Sequence, residues 1–148
     1  MITAKLEGLA ELNKTIVKLR ENLSKEKVAE VLDPPAEMLK NDMQTNVNVV
    51  TNKLRDGIKK LVYSDYSGAV ALVVIDYKKA PHAHLVEYGH VNWKGGKRAE
   101  GEGYEVKGPT QPHSFFRKTW DEDRAIIERD IVSGLTNLAN EAIEQGGK

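Results

Sequence analysis

The chain lacks cysteine entirely and has few aromatic residues, and both shortages exclude classes of protein. Without cysteine there is no disulfide framework, no zinc–thiolate site and no thiol nucleophile. No apolar run approaches the roughly 20 residues of a membrane-spanning helix, and the first residues lack the apolar core of a signal peptide. We therefore expect no membrane partner. A chain of 148 residues can form a hydrophobic core without disulfides or metal ions. Residues 1–148 are therefore predicted to form a single domain.

An excess of one charge sign is also missing, because 22 basic residues balance 22 acidic ones. Proteins that bind nucleic acid through their overall field are normally basic. Any contact with DNA must therefore come from a local cluster of cations. The charged fraction of 30% predicts a heavily solvated surface over a small core.

Two helices are predicted in the N-terminal third. Over residues 3–24, apolar side chains recur at steps of three and four, which is typical of an amphipathic helix. Both charge signs occupy its other faces, so we interpret the stripe as core-facing rather than membrane-binding. The stripe comprises Leu6, Leu9, Leu12, Ile16, Leu19 and Leu23. A second helix is predicted from Lys25 to Asn46, with a break at Asp33-Pro34-Pro35, because proline removes an amide donor and clashes with the preceding turn.

A β-hairpin is predicted next, with strands at Ile58–Tyr66 and Ala69–Tyr77 joined by the turn residues Asp65-Tyr66-Ser67-Gly68. The second strand is almost continuously apolar. We therefore expect it to be central, with both of its faces covered.

The segment after the hairpin is predicted to be less regular. A short helix at Pro81–Tyr88 should end at Gly89, a residue suited to helix ends. Residues 90–103 contain four glycines, so a mobile loop is predicted there, followed by a strand at Tyr104–Lys107.

The last predicted element is a long helix. Thr119-Trp120-Asp121-Glu122 fits a capping box, and a stripe continues towards Gly146 through Ile127, Ile131, Leu135, Leu138 and Ala142. Gly134 inside this helix should cost about 1 kcal/mol relative to alanine, unless close packing needs it. The predicted class is α+β, with N-terminal helices and a long C-terminal helix on a small, mainly antiparallel sheet.

Three histidines with a glutamate between them raise the alternative of a metal-dependent hydrolase or nuclease. The set would be His82, His84, Glu87 and His90. In a strand Glu87 points away from the histidines, and in a helix His82 and His84 lie about 200° apart. We therefore favour hydrogen-bonded or solvated histidines, and we predict no metal and no cofactor.

The glycine-rich segment carries a basic cluster and a tryptophan, which raises the alternative of a small DNA-binding module at residues 92–98. Lys94, Lys97 and Arg98 could contact phosphates while Trp93 stacks on a base. Tryptophan is equally typical of protein–protein interfaces. We take these four residues and Tyr104 as interface candidates.

Three segments carry a resemblance to a known family. They are Thr51-Asn52-Lys53-Leu54-Arg55-Asp56-Gly57-Ile58, Val86-Glu87-Tyr88-Gly89 and Pro109-Thr110-Gln111-Pro112-His113-Ser114-Phe115-Phe116-Arg117. In this order and spacing they resemble the tail-completion or head–tail joining proteins of long-tailed bacteriophages and prophages. The positions that carry the motifs are Leu54, Arg55, Glu87, Tyr88, Gly89, Pro112, Phe115, Phe116 and Arg117. The departures are Asn52 for a usual Gly, Gly57 for Ser, His90 for Thr, and the extra His113-Ser114.

The resemblance implies a non-enzymatic virion component at the end of the tail tube, assembled in the host cytoplasm. Its partners would be copies of itself in a ring, often a hexamer, the tail tube protein, and a head-side connector or stopper. DNA would pass transiently through the lumen. A ring requires one surface to meet a different surface of the next copy. The segment 90–108 is the candidate for that contact or for the lumen.

One further expectation concerns the two strongest segments. We predict that Glu87 approaches Arg117, or caps nearby backbone, where the short helix meets the turn before the last helix. The alternative is two separate, solvent-facing charges. Phe115 and Phe116, the only phenylalanines, are predicted to anchor the last helix.

Overall fold

The computed structural model describes residues 9–47, 52–66, 68–94 and 105–146, and the chain has the predicted α+β class. Two small sheets form, one of β1 with β2 and one of β3 with β4. The elements, in chain order, are α1 Leu9–Asn22, α2 Lys25–Asn46, α3 Lys53–Gly57, β1 Ile58–Ser64, β2 Ala69–Ile75, α4 Ala83–Tyr88, β3 His90–Lys94, β4 Glu105–Thr110 and α5 Phe115–Gly146. The short helix α3 was not predicted.

Helix α2 runs without a break through Pro34 and Pro35, so the predicted interruption is wrong. The fixed φ of proline, about −65°, suits a helix, although each ring removes one amide bond and crowds a carbonyl of the preceding turn. Pro35 and Ala36 are buried in the continuous helix. The removal of their apolar surface from water favours this conformation.

The hairpin of β1 and β2 is confirmed, and its turn is closed by two bonds. Asp65 N donates to Gly68 O at 2.8 Å, and Gly68 N donates to Asp65 Oδ1 at 3.2 Å. The expectation of a central, covered strand is wrong, because among the described residues β2 pairs with β1 alone and Leu72 is 40% exposed. A two-stranded ribbon has no central strand.

Strand β3 occupies His90–Lys94, so the loop predicted to begin at residue 90 is wrong over these five positions. The strand pairs antiparallel with β4, from His90 opposite Thr110 to Lys94 opposite Glu105, with an irregularity between Val91 and Trp93. The ladder uses backbone groups, which polar and glycine-rich residues also possess. The predicted third strand is present as β4 and continues to Thr110. The rest of the predicted mobile loop, residues 95–103, lies outside the described residues.

The chain divides into two compact units, and one of them consists of residues 38–60 and 73–123. Its core gathers side chains from α2, α3, β1, α4 and α5: Leu39, Met43, Val47, Leu54, Ile58, Ala80, Ala83 and Phe115. Gln44 Nε2 donates to Arg55 O and Ile58 O, both at 3.2 Å, and so fixes the chain where α3 passes into β1.

The other unit comprises the residues up to Glu37, Leu61–Leu72 and those from Arg124 onward. Its buried hydrophobic residues are Ala36, Ile127 and Ala142. The predicted stripe of α5 is confirmed, since Ile131, Leu135 and Leu138 between the last two are half-buried. A Cβ atom on Gly134 would lie 2.5 Å from Val31 Cγ1, so close packing of α5 on α2 requires the glycine. The single domain expected for residues 1–148 stays a prediction.

Helix α1 contradicts the expectation of a core-facing stripe. Leu12, Ile16 and Leu23 are 56%, 54% and 40% exposed, while Leu19 is half-buried. Periodicity shows that these residues share a face, but it does not show what covers that face. Leu6 lies outside the described residues.

Candidate functional site

The side chain of Glu87 lies at the start of α5 and satisfies the first amides of that helix. Glu87 belongs to α4 and is only 6% exposed. Its Oε2 accepts a hydrogen bond from Phe116 N at 2.9 Å, and its Oε1 accepts one from Arg117 N at 3.3 Å. The first amides of a helix have no partner within it, and a carboxylate there also complements the helix dipole. Glu87 therefore caps a helix that begins far from it in the sequence.

Backbone bonds hold the segment before α5 against α4. His113 N donates to Val86 O at 2.9 Å, and Ser114 N donates to Glu87 O at 3.2 Å. Ser114 has a φ of +50°, a left-handed conformation that costs a non-glycine residue on the order of 1 kcal/mol. The surrounding bonds stabilise this conformation, and Lys118 N closes the first helical turn by donating to Ser114 O at 2.9 Å.

The predicted pairing of Glu87 with Arg117 is confirmed. Arg117 Nε donates to Glu87 Oε1 at 3.2 Å, and Arg117 Nη2 donates to Ser114 Oγ at 3.4 Å. The guanidinium carbon also lies 5.1 Å from the centre of the Tyr88 ring, within the range of a cation–π contact. The Arg117 side chain is 59% exposed, so solvent weakens the ion pair and the amide bonds to Glu87 matter more.

Phe115 and Thr119 bury the first turn of α5. Phe115 is 1% exposed and meets the ring of Phe116 edge-on, with ring centres 6.5 Å apart. Thr119 Oγ1 donates to Phe115 O at 2.8 Å and accepts from Asn46 Nδ2 at 2.9 Å. The capping box predicted at residues 119–122 is wrong, because Thr119 already lies inside the helix and bonds to a carbonyl one turn back.

Gly89 ends α4, as predicted, and its backbone conformation requires glycine. Its φ is +73°, which side chains rarely adopt. A Cβ atom there would lie 2.5 Å from Thr110 O and 3.0 Å from Pro112 N. The Glu-Tyr-Gly sequence thus places a capping carboxylate directly before a close approach of two chain segments.

The geometry does not assemble the alternative metal site of His82, His84, Glu87 and His90. Within the described residues, no group of three or more His, Asp or Glu side chains is placed to hold a metal ion. Both carboxylate oxygens of Glu87 accept bonds from amide donors. Glu87 is therefore a structural acceptor rather than a ligand or a general base.

Two carboxyl groups near this region have shifted pKa values. The hydrogen bond from Lys59 Nζ, at 2.7 Å, lowers the pKa of Asp76. Burial raises the pKa of Asp123, and the nearby charges of Asp42 and Glu122 raise it further. Among the described atoms, Asp123 Oδ2 is buried and has no hydrogen-bond partner. Asp123 is thus more easily charged in the unfolded chain than in the folded one.

Two of the predicted interface residues lie at the end of the β3–β4 ribbon. Trp93 and Lys94 belong to β3, with Trp93 opposite Val106 and Lys94 opposite Glu105. Lys97, Arg98 and Tyr104 lie outside the described residues. The residues that bind the two motif segments together are instead Glu87, Tyr88, Gly89, Ser114, Phe116 and Arg117.

Comparison with known families gives one match. Residues 10–89 match the HK97-gp10-like model, described as "Bacteriophage HK97-gp10, putative tail-component". This match spans more than half of the chain. The chain belongs to the HK97-gp10-like family. As a member of this family of bacteriophage tail components it is a structural phage tail protein, and the virion is its place of action.

The HK97-gp10-like match covers the first two motif segments and ends at Gly89, while the third segment lies beyond it. The Glu87 cap joins the matched region to the third segment. Neither a curated protein nor a solved structure matches this chain. No helix in the described ranges is both long enough and apolar enough to cross a bilayer.

Proposed function

We propose that this HK97-gp10-like protein completes the phage tail and joins it to the head, by assembling as a ring at the end of the tail tube. The observation that carries the proposal is the family match over residues 10–89. The order of the three motif segments supports it, because the third segment belongs to the same pattern and packs on the second. The role is structural rather than catalytic.

The proposed partners are copies of this chain, the tail tube protein and a head-side connector or stopper. The proposed assembly is a ring such as a hexamer, and DNA passes transiently through its lumen. A net charge of zero suits such a passage, since a basic lumen would retain DNA through its phosphates. Trp93, Lys94, Lys97, Arg98 and Tyr104 remain candidates for contact with neighbouring copies of the chain or with DNA.

Electron microscopy with tail tubes tests this function. The purified chain is mixed with tubes assembled from the tail tube protein of the same phage or prophage and imaged in negative stain. We expect ring-shaped density at one end of each tube. Tubes that stay bare at a large excess of the chain would contradict the proposal. Monomers in the absence of tubes would not, because the tube end acts as the template.

The DNA-binding alternative predicts a different result. A module at residues 92–98 should bind short duplex DNA with an affinity that falls steeply with salt. Tail completion predicts weak binding of duplex DNA at physiological salt, whatever the state of the ring.

A further inference from the structure

The two compact units differ in how many of their large apolar side chains are exposed to solvent. Among the described residues, eleven of the fifteen exposed large hydrophobic side chains lie in the unit that contains α1, the hairpin tip and most of α5. Only three of the eleven buried hydrophobic residues lie there. Large exposed apolar patches mark interaction sites on otherwise soluble surfaces. This unit therefore has the composition of a surface that another protein covers.

The first apolar surface is the stripe of α1. Leu12, Ile16, Leu19 and Leu23 lie within about 60° of one another around the helix axis, from the 100° rotation per residue. Leu23 extends the helix, because its amide donates to Leu19 O at 2.9 Å. The stripe is about 16 Å long, from a rise of 1.5 Å per residue. We call it the helix stripe.

The second apolar surface is one face of the hairpin. The bonds between Asp65 and Gly68 and between Asp76 and Gly57 fix the register at both ends of the ladder. This register places Leu61 opposite Leu72 and Tyr63 opposite Val70, and alternation puts all four side chains on the same face.

Leu61, Tyr63 and Leu72 are 47%, 46% and 40% exposed. With the half-buried Val70, these residues form a face about 7 Å long, from about 3.3 Å per residue. We call it the hairpin face. It shares the apolar character of the helix stripe and is about half as long.

The other exposed apolar residues of this unit do not form a comparable surface. Val132 and Ile143 share a face of α5, but eleven positions separate them, or about 16 Å along the helix. Thr136, an exposed polar residue, lies between them on that face. They are scattered singly, which is normal for a protein surface.

We propose that the helix stripe of one copy packs on the hairpin face of the next copy, and that this contact joins the subunits of the ring. The inference rests on the proposed function, because a ring of identical chains requires two different, mutually complementary surfaces on each copy. A helix packed on a sheet is one of the arrangements in which two such apolar faces bury each other. Segment 90–108 is then left for the tube, the connector or the lumen.

The size of the two surfaces sets the strength of the contact. Each exposes on the order of a few hundred Å² of apolar surface, which is enough to mark an interaction site. A standard interface uses about 800 Å² per partner, so two free copies associate weakly. Ring closure and the tube end raise the effective concentration and complete the assembly.

Cross-linking between single-cysteine variants tests the contact, because the natural chain contains no cysteine. Ile16→Cys is mixed with Leu61→Cys, and separately Leu12→Cys with Leu72→Cys, each with a short bismaleimide at high protein concentration and in the presence of tail tubes. We expect covalent dimers in the mixtures at least about tenfold above either variant alone, because the contact raises the effective concentration of the two thiols. Mass spectrometry identifies the joined peptides, and circular dichroism confirms that each variant is folded.

Val132→Cys replaces Ile16→Cys in the control mixture, since Val132 is an equally exposed helical residue of the same unit. If neither test mixture exceeds this control, the contact is wrong. Strong cross-linking of Ile16→Cys with itself would show two helix stripes meeting, which also overturns the proposal. The tube-capping assay separates the two ideas: capped tubes without the cross-link refute only this contact, whereas the cross-link without capped tubes refutes only the tail-end function.

Discussion

Glu87 caps the start of α5, which a residue directly before a helix usually does. A local cap at the start of α5 would be a side chain at position 114, but Ser114 Oγ is directed to Glu87 O at 3.4 Å. The two free amides at 116 and 117 are satisfied from α4 instead. One carboxylate therefore fixes the start of the helix and the position of α4 together.

The cap predicts a large effect for one substitution. Glu87→Ala should lower the free energy of unfolding by about 2 kcal/mol, because it leaves two partly buried amides without a charged acceptor. Glu87→Gln should cost less, since one carbonyl oxygen remains. Urea unfolding followed by circular dichroism measures both.

The variant Arg117→Ala is the matched control for the variant Glu87→Ala. It removes the partly exposed ion pair and the contact with Tyr88 but leaves both amide bonds to Glu87 in place. We expect a loss below about 1 kcal/mol. Equal losses for Glu87→Ala and Arg117→Ala would show that the ion pair, not the cap, stabilises the junction.

Asp123 predicts a pH dependence with a definite sign. Its pKa in the folded chain is raised above 3.8, mainly by burial. The stability that its protonated form contributes is present below pH 3.8 and is lost as the pH rises through the raised pKa. Asp123→Asn should therefore raise the melting temperature at pH 7. The gain should shrink as the pH falls towards 3.8, the pKa of this carboxyl group in the unfolded chain.

Asp121→Asn, at an exposed position of the same helix, provides the comparison for Asp123. We expect it to leave the melting temperature nearly unchanged at pH 7. A gain from Asp123→Asn that does not depend on pH would mean that charge is not the cause.

At the scale of elements, the packing of α5 on α2 depends on Gly134. Glycine inside a helix normally costs about 1 kcal/mol relative to alanine, so Gly134→Ala would usually stabilise. Here the added Cβ would lie 2.5 Å from Val31 Cγ1, and β-branched side chains are stiff. We expect Gly134→Ala to destabilise by about 1–3 kcal/mol, as overpacking does.

Combining Gly134→Ala with Val31→Ala tests that explanation. The double variant should lose less stability than the two single losses together, because removing Val31 Cγ1 makes room for the new methyl group. Strictly additive losses in a double-mutant cycle would show that the two residues do not clash.

Most elements could be predicted from the sequence because their signals are local. The hairpin follows from its turn residues and apolar strands, and the stripe of α5 follows from its period. The start of α5 was misplaced at the capping box of residues 119–122, since the capping carboxylate sits 29 positions before Phe116 in another helix. The expectation that Glu87 pairs with Arg117 or caps nearby backbone came from the motif segments and not from a local helix signal. The pairing of β3 with β4 was missed for a related reason, because backbone ladders leave little trace in polar residues.

At the scale of the whole molecule, the sequence showed which residues share a face but not what covers it. The stripe of Leu12, Ile16 and Leu23 reads like any core stripe, yet it is exposed in the single chain. The prediction that both faces of β2 are covered is wrong for the same reason, because Leu72 is exposed. Both misses concern the same unit, and both disappear if copies of the chain cover one another.

The family, in contrast, was predictable from three short segments. The capping carboxylate of Glu87, the left-handed Gly89 and the buried Phe115 explain why residues of these types stand at these positions. The motifs thus encode a junction that holds the last helix. The partners of the assembled protein are not encoded there.

Deleting the gene from the phage or prophage that encodes this chain tests the central claim most directly. We predict that lysates of the deletion strain contain DNA-filled heads and separate tails, and that adding the purified chain restores joined, infectious particles. Intact infectious virions assembled without this chain would contradict the account.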